Sequence, residues 1–306
     1  MIGRLAYSFG AGEGLTTLLK NRGRARNRLA ASIEAHLRDR WHRLQQGDWL
    51  PHANPLQDSP PVSLTSWRPR LPDLPLTLVS LLSQSPRPPR ILVWLTREDI
   101  GLLDQAIIRH LEPHGIAFVE APELGPHKKW HPMASSQMDP FVICDDDTFY
   151  PPSWYASLIG DSALPAYVGC RCHRLTGDAQ AGPAPYAQWE KEITAGSPPS
   201  HATFVTGVGG ALIHPRRLPA GFLDPEAFMR LCPRADDIWL KLAHLEAGIP
   251  CVRSRFTFPC LGIAASEASG LAAENVTNHG NDRQLAESMN AMGISPSGFF
   301  QPPSRS

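Results

Sequence analysis

Phe141-Val142-Ile143-Cys144-Asp145-Asp146-Asp147 is the stretch on which the reading of this chain turns. Four apolar residues in a row describe a strand buried on both faces, and three carboxylates follow at its carboxyl end. In open α/β sheets that edge is where ligands bind. Adjacent carboxylates repel one another, and relief comes through a raised pKa or a bound cation. In an extended chain successive side chains alternate, so Asp145 and Asp147 project to one side and Asp146 to the other. Asp145 and Asp147 are therefore candidate ligands of one metal ion, directly or through water. A hard cation such as Mg²⁺ or Mn²⁺ takes few carboxylates and completes its shell with water and substrate phosphates. An acidic turn after a strand has the same letters; the buried strand and the third aspartate favour the metal.

Outward from this strand the texture is that of an α/β sheet, short apolar runs alternating with helical patterns. Strands are expected at 62–66, 91–95, 116–120, 141–144, 167–170 and 204–206. Helices are expected around Leu76–Leu82, Leu102–Leu111, Ala235–Ala247 and Asp282–Met292. Residues 172–203, with Gly182-Pro183-Ala184-Pro185 and Ser197-Pro198-Pro199-Ser200, read as irregular loops. Near the start, Leu29, Ile33, Leu37, Trp41 and Leu44 recur at helical spacing, opposite an Arg-rich face. That helix either packs on the main domain or docks on an anionic membrane surface. The resulting division is a basic helical arm and linker over 1–58, an α/β domain over 59–290 and a tail over 291–306.

Composition narrows the classes. Proline, at 31 of 306 residues, implies many interrupted elements. Acidic and basic residues balance at 29 each, which disfavours a nucleic-acid partner. Residues 1–46 nevertheless hold nine lysines and arginines against three acids, so a basic arm sits on a mildly acidic body. No apolar run reaches the roughly 18 residues of a membrane span, and the start lacks a signal-peptide pattern. The six cysteines include no CxxC pair, so they are expected reduced, in a cytoplasmic chain, peripheral at most to the inner face of a membrane.

Other motifs supply further candidates. Asp236-Asp237 opens a helix. There one carboxylate serves as a cap, and the other is a candidate general base where burial lifts its pKa. Thr206-Gly207-Val208-Gly209-Gly210-Ala211 lets a ligand approach the backbone or makes a tight turn. Lys128 and Lys129, in Gly125-Pro126-His127-Lys128-Lys129-Trp130, could neutralise a diphosphate. His279 could complete a metal shell from the far end of the chain.

The order of these features carries more than any one of them. Val62–Arg68, Ile91–Leu95, the strand ending in Asp145-Asp146-Asp147, the glycine segment and Ala235–Trp239 together resemble the GT-A-fold glycosyltransferases. Over about residues 60–285 the layout is similar to that of the bacterial family-2-type enzymes. The resemblance implies a Rossmann-like, mostly parallel sheet flanked by helices. It implies transfer of a sugar from a nucleotide-sugar donor, foremost a UDP-sugar, to a saccharide or lipid-linked saccharide. On the same resemblance Thr65, Trp67 and Arg68, with Asp99 after the second strand, contact the nucleotide. Asp145 and Asp147 hold Mn²⁺ or Mg²⁺ on the diphosphate, with Asp146 near the ribose or metal shell. Gly209 and Gly210 line the donor-sugar and acceptor site, and Asp237 is the base of inverting members. There is no Gln-x-x-Arg-Trp, so single-sugar transfer is expected rather than polymer extrusion. The layout also resembles exostosin-like transferases, which retain configuration, so both stereochemical outcomes stay open. The other readings are a Mg²⁺-dependent nucleotidyltransferase or phosphate-ester hydrolase, and a non-catalytic carbohydrate-binding relative.

Overall fold

The computed structural model describes residues 23–49, 51, 53–263 and 279–301. In chain order its elements are α1 (Gly23–Gln46), β1 (Val62–Thr65), α2 (Leu74–Leu82), β2 (Ile91–Leu95), α3 (Arg97–Leu102), α4 (Gln105–Leu111) and β3 (Ile116–Glu120). Then come α5 (His131–Ser136), β4 (Phe141–Ile143), α6 (Trp154–Gly160), β5 (Tyr167–Gly169), β6 (Cys172–Arg174), β7 (Gly177–Asp178) and β8 (Gly182–Pro183). The chain continues with β9 (Thr203–Val205), β10 (Ala211–Ile213), α7 (Pro225–Leu231), α8 (Asp236–Glu246), β11 (Cys251–Arg253) and α9 (Gly280–Met292).

Seven strands form the central sheet in the order β11-β5-β10-β4-β1-β2-β3. β1 pairs in parallel with β2 and β4, β2 with β3, and β11 with β5, while β10 runs antiparallel to β4 and β5. Only β10 is reversed, so its start lies where β4 ends: Ala211 stands opposite Ile143. The residues before β10 and those after β4 therefore meet at one edge.

Strand periodicity divides the core between the two faces of the sheet. Val62 and Leu64 of β1, Val93 of β2 and Val142 of β4 pack with α1, α2 and α4. Phe141 and Ile143 of β4 pack on the opposite side with Trp130, Phe228 and Trp239. Of the expected apolar stripe on α1, Ile33, Leu37 and Leu44 are buried in the first of these layers. Arg40 donates to Ser83 Oγ at 2.7 Å and Arg38 pairs with Asp73 at 2.8 Å, both across to α2 and its flanks. The stripe thus faces protein. Contact of the arm with an anionic membrane is left to its outward side and to residues 1–22, which lie outside the described residues. Among the described residues no helix is long and apolar enough to cross a membrane.

Two boundaries differ from expectation. The helix expected over 102–111 is two, because Asp104 breaks the run and caps α4 by accepting from Ala106 N at 2.8 Å. The expected tail is packed: Ile294 and Phe299 are buried in the second layer.

Candidate active site

Three connections reach the carboxyl edge beside β1. After β1, Ser66 and a short 3₁₀ turn (Arg68–Arg70) bring two side chains to the acidic run. Ser66 Oγ donates to Asp146 Oδ2 at 2.5 Å, and Arg70 bridges Asp146 Oδ1 at 2.5 Å and Asp147 Oδ2 at 2.9 Å. Thr77 Oγ1 of α2 donates to the Asp146 carbonyl at 2.8 Å. Asp146 is buried, while the side chains of Asp145 and Asp147 keep 27% and 22% of their exposure. Exposure alternates along the run, but the side-to-side alternation expected from extended geometry is corrected: Asp146 and Asp147 lie in a turn and share the Arg70 guanidinium.

The second connection delivers Lys129. The turn Gly125–Lys129 is pinned by His127, stacked on Phe228 at 4.2 Å between ring centroids. Trp130 Nε1 donates to His127 Nδ1, which leaves Nε2 to donate to the Cys232 carbonyl at 2.7 Å. Burial lowers this imidazole to about 3, so it is a neutral packing group. Gly125 has φ +55°, and a Cβ there would lie 2.9 Å from Pro233 O. Lys129 Nζ then stands 2.7 Å from Asp145 Oδ1 and 3.0 Å from Asp236 Oδ2. Burial works against its charge, but Asp145, Asp236 and Asp237 outweigh it and hold the amine well above the usual range. Lys128 turns elsewhere, to Glu123 Oε2 at 2.9 Å. Of the two lysines offered for a diphosphate, Lys129 thus meets two protein carboxylates and Lys128 a third.

The third connection is the turn before β10. Gly207 N donates to Asp237 Oδ1 at 2.9 Å, at the first turn of α8. Tyr150 OH accepts from Asp145 N at 3.0 Å and donates to Val208 O at 3.1 Å, fastening this turn to the end of β4. A Cβ on Gly207 would lie 2.6 Å from Lys129 Nζ and 3.0 Å from Asp237 Oδ1. Gly209 and Gly210 were the glycines expected to line the site, and both face the fold instead. Gly210 has φ +82° and would drive a Cβ to 2.3 Å from the Trp154 ring; Gly209 lies against Arg171 and accepts from Trp154 Nε1 through its carbonyl.

Four carboxylates paired with Arg70 and Lys129, and Asp237 within the field of Lys129, thus form one largely buried cluster in which carboxylates outnumber cations. Burial, and next Asp236, push Asp237 up to about 7 against the pull of Lys129. Burial pushes Asp147 up to about 7 against the pull of Arg70, with Asp146 and Asp145 adding to the rise. Asp146 and Asp236 are raised by burial as well.

The remaining candidates lie outside this cluster or are already engaged. Thr65 Oγ1 donates to Trp94 O at 2.7 Å, across the strands. The Asp99 carboxylate accepts from Thr96 Oγ1 at 2.9 Å within the cap of α3. Trp67 is 46% exposed beside the edge, and Arg68 lines a cleft of about 440 Å³ between α1 and the residues around α2 to α4, with Trp41, Leu71 and Leu102. His279 begins α9 with its side chain 74% exposed, and its partner is Asp282, not an aspartate of either acidic cluster. The structure therefore does not bring His279 together with Asp145 and Asp147. Ser66, Arg70, Tyr150 and Gly207 are the site residues that sequence reasoning missed.

Among the described residues no group of three or more His, Cys, Asp or Glu is placed to hold a metal ion by itself. The donor set does fit an ion that takes two carboxylates and completes its shell elsewhere. Lys129 occupies Oδ1 of Asp145 and Arg70 occupies Oδ2 of Asp147, leaving the second oxygen of each without a hydrogen bond among the described residues. Asp236 Oδ2 is also buried without one, its contact with Lys129 being one of charge. Comparison with models of known protein families finds no match, and comparison with curated proteins finds none either.

Proposed function

We propose that this chain is a glycosyltransferase of GT-A type that moves one sugar from a nucleotide-sugar donor, foremost a UDP-sugar, to a hydroxyl of a saccharide or lipid-linked saccharide. The observation that carries the reading is Lys129, whose two ion pairs draw the carboxylates after β4 and those opening α8 into one site. The edge where that site lies is the one at which α/β sheets bind ligands. Asp145 and Asp147 would hold Mg²⁺ or Mn²⁺, which when bound offsets charge on the departing diphosphate.

The chain's own groups have separable tasks. Asp237, held through Oδ1 by the Gly207 N–H, takes the proton of the acceptor hydroxyl. With its pKa near 7, about half of the molecules present the base at neutral pH. Attack by the acceptor oxygen from the face opposite the diphosphate inverts the anomeric carbon. Arg70 and Ser66 fix Asp146 and Asp147, and Lys129 holds Asp145 and Asp236 in place. These are positioning residues, since their polar groups meet protein carboxylates.

Thermal melting with UDP and Mn²⁺, added separately and together, tests the reading. Ligands that bind only the folded state raise its melting temperature. The expected result is a joint shift larger than the sum of the separate ones. Stabilisation by Mn²⁺ alone, with hydrolysis of simple phosphate esters, would move the assignment to phosphoryl chemistry. No response to UDP with or without the metal would remove it.

A further inference from the structure

Positive charge stands at the turn that also holds Asp237, and nothing in the scheme above uses it. Arg171, the second residue after β5, donates from Nε to Glu192 Oε1 at 3.0 Å and from Nη1 to Thr206 Oγ1 at 3.2 Å. Its Nη2 has no partner among the described residues, and the side chain is 26% exposed. Thr206 directly precedes Gly207, whose N–H holds Asp237, so guanidinium and base flank one turn.

A second cation, Lys191, directly precedes Glu192, the carboxylate that Arg171 holds. Lys191 Nζ lies 3.3 Å from the centroid of the Tyr186 ring and donates to the Tyr186 carbonyl at 2.5 Å. The next residue, Glu192, is held at φ +53°, a conformation unfavourable for a residue with a Cβ. Its N–H donates to His173 Nδ1 at 2.9 Å, which fixes the turn. Arg171 and Lys191 also sense each other: burial first, and then Arg171, push the Lys191 amine down to about 8. An anion between them relieves that repulsion.

Resting on the transferase reading, we infer that the acceptor carries an anionic group, a carboxylate or a phosphate, and that Arg171 and Lys191 bind it beside Tyr186. The chemistry requires such an anchor. An acidic acceptor must bring its hydroxyl to Asp237 across a site with excess negative charge, and it would be repelled unless its own charge were held apart. A guanidinium with a spare Nη2 suits the paired oxygens of either anion.

The test is UDP release from a panel of UDP-sugars with glucuronic acid, glucose 6-phosphate or glucose as acceptor, read against hydrolysis without acceptor. At least one acid is expected to stimulate release at concentrations where glucose does not, and which acid does so separates carboxylate from phosphate. Arg171→Gln and Lys191→Gln should each raise the half-saturating concentration of that acid about tenfold, as expected for losing a charge-assisted hydrogen bond. Lys191 is exposed, so its variant reports even where Arg171→Gln fails to fold. Equal stimulation by glucose, stimulation by neither acid, or unchanged half-saturation in the Lys191 variant overturns the inference. A chain that neither binds UDP nor releases it from any donor refutes the transferase reading itself, which is a different result.

Discussion

Gly207→Ala probes the centre of the proposed site with one methyl group. The added Cβ would stand 2.6 Å from Lys129 Nζ, 3.2 Å from Lys129 Cε and 3.0 Å from Asp237 Oδ1. Ordinary contact begins at about 3.5 Å, so the amine must retreat by roughly 1 Å. Both neighbours are ends of side chains, and the fold can absorb the change at about 1–3 kcal/mol, the usual cost of overpacking. The site cannot absorb it as easily, because Lys129 is placed by contacts of 2.7 Å to Asp145 and 3.0 Å to Asp236. A shift of about 1 Å in groups that set reacting geometry costs on the order of a hundredfold in rate. The assay is UDP release at saturating donor, with a thermal melt on the same sample. Gly221→Ala is the control, since the nearest heavy atom to its added Cβ is 3.8 Å away, and it should stay within about 0.5 kcal/mol of the parent. A folded Gly207→Ala protein turning over within about twofold of the parent would refute the placement of Lys129 and Asp237 around this turn.

Lys129→Met leaves Asp145 and Asp236 without their shared counter-charge. Urea unfolding at pH 8 should show a loss of about 3–5 kcal/mol, smaller at pH 5, since burial raises Asp236 and favours its proton uptake. Arg70→Lys replaces a fork that reaches two carboxylates with a single ammonium, and the melt should report about 1–3 kcal/mol lost. Asp147 and Asp237 stand at about 7 in the fold against about 3.9 unfolded, so the folded state binds more protons between those values. Their contribution to stability is therefore complete below about pH 4 and lost as pH rises through 7, which urea titrations across that range will read. Turnover runs the other way, rising through about pH 7 as Asp237 loses its proton. Leu37→Ala, at a fully buried position of α1, should lower the single unfolding transition by about 2–5 kcal/mol; an unchanged melt would mean that α1 is detached from the core.

Much of the fold was legible because β1 to β4 are apolar runs with the right flanks. Ile91–Leu95 and Phe141–Ile143 can be little else than buried strands. β10 was not legible: three residues after a glycine cluster carry no period, and its reversed direction comes from pairing. The stripe on α1 was plain, but an amphipathic pattern states only that one face is covered, not by what. Within the site, the acidic runs stood out by position, whereas choices between near-identical neighbours did not. Arg68 and Arg70 differ by where a 3₁₀ turn points them. Lys128 and Lys129 differ by how His127 pins their turn, and Gly207 and Gly209 by which neighbour crowds each Cβ. Such distinctions depend on tertiary contact and leave no trace in residue type.

The charge inventory assigns the internal cations a task different from the one their residue types suggest. Lys129 and Arg70 would ordinarily be read as phosphate-binding groups, yet each already bridges two carboxylates. Turning either toward a diphosphate would strand a buried carboxylate, at a cost of several kcal/mol. A donor diphosphate adds more negative charge to a cluster whose aspartates already outnumber its cations, which the pKa values of Asp147 and Asp237 record. The polypeptide at this edge therefore holds carboxylates in position, and on the proposed reading the donor's charge would be offset by a cation that arrives with it. Asp237 lies at the far side of Lys129 from Asp147 in this network, next to Gly207 and the Arg171 side of the turn. In the proposed reaction that arrangement would separate the proton-accepting group from the place where leaving-group charge builds up, as a displacement with attack and departure on opposite faces requires.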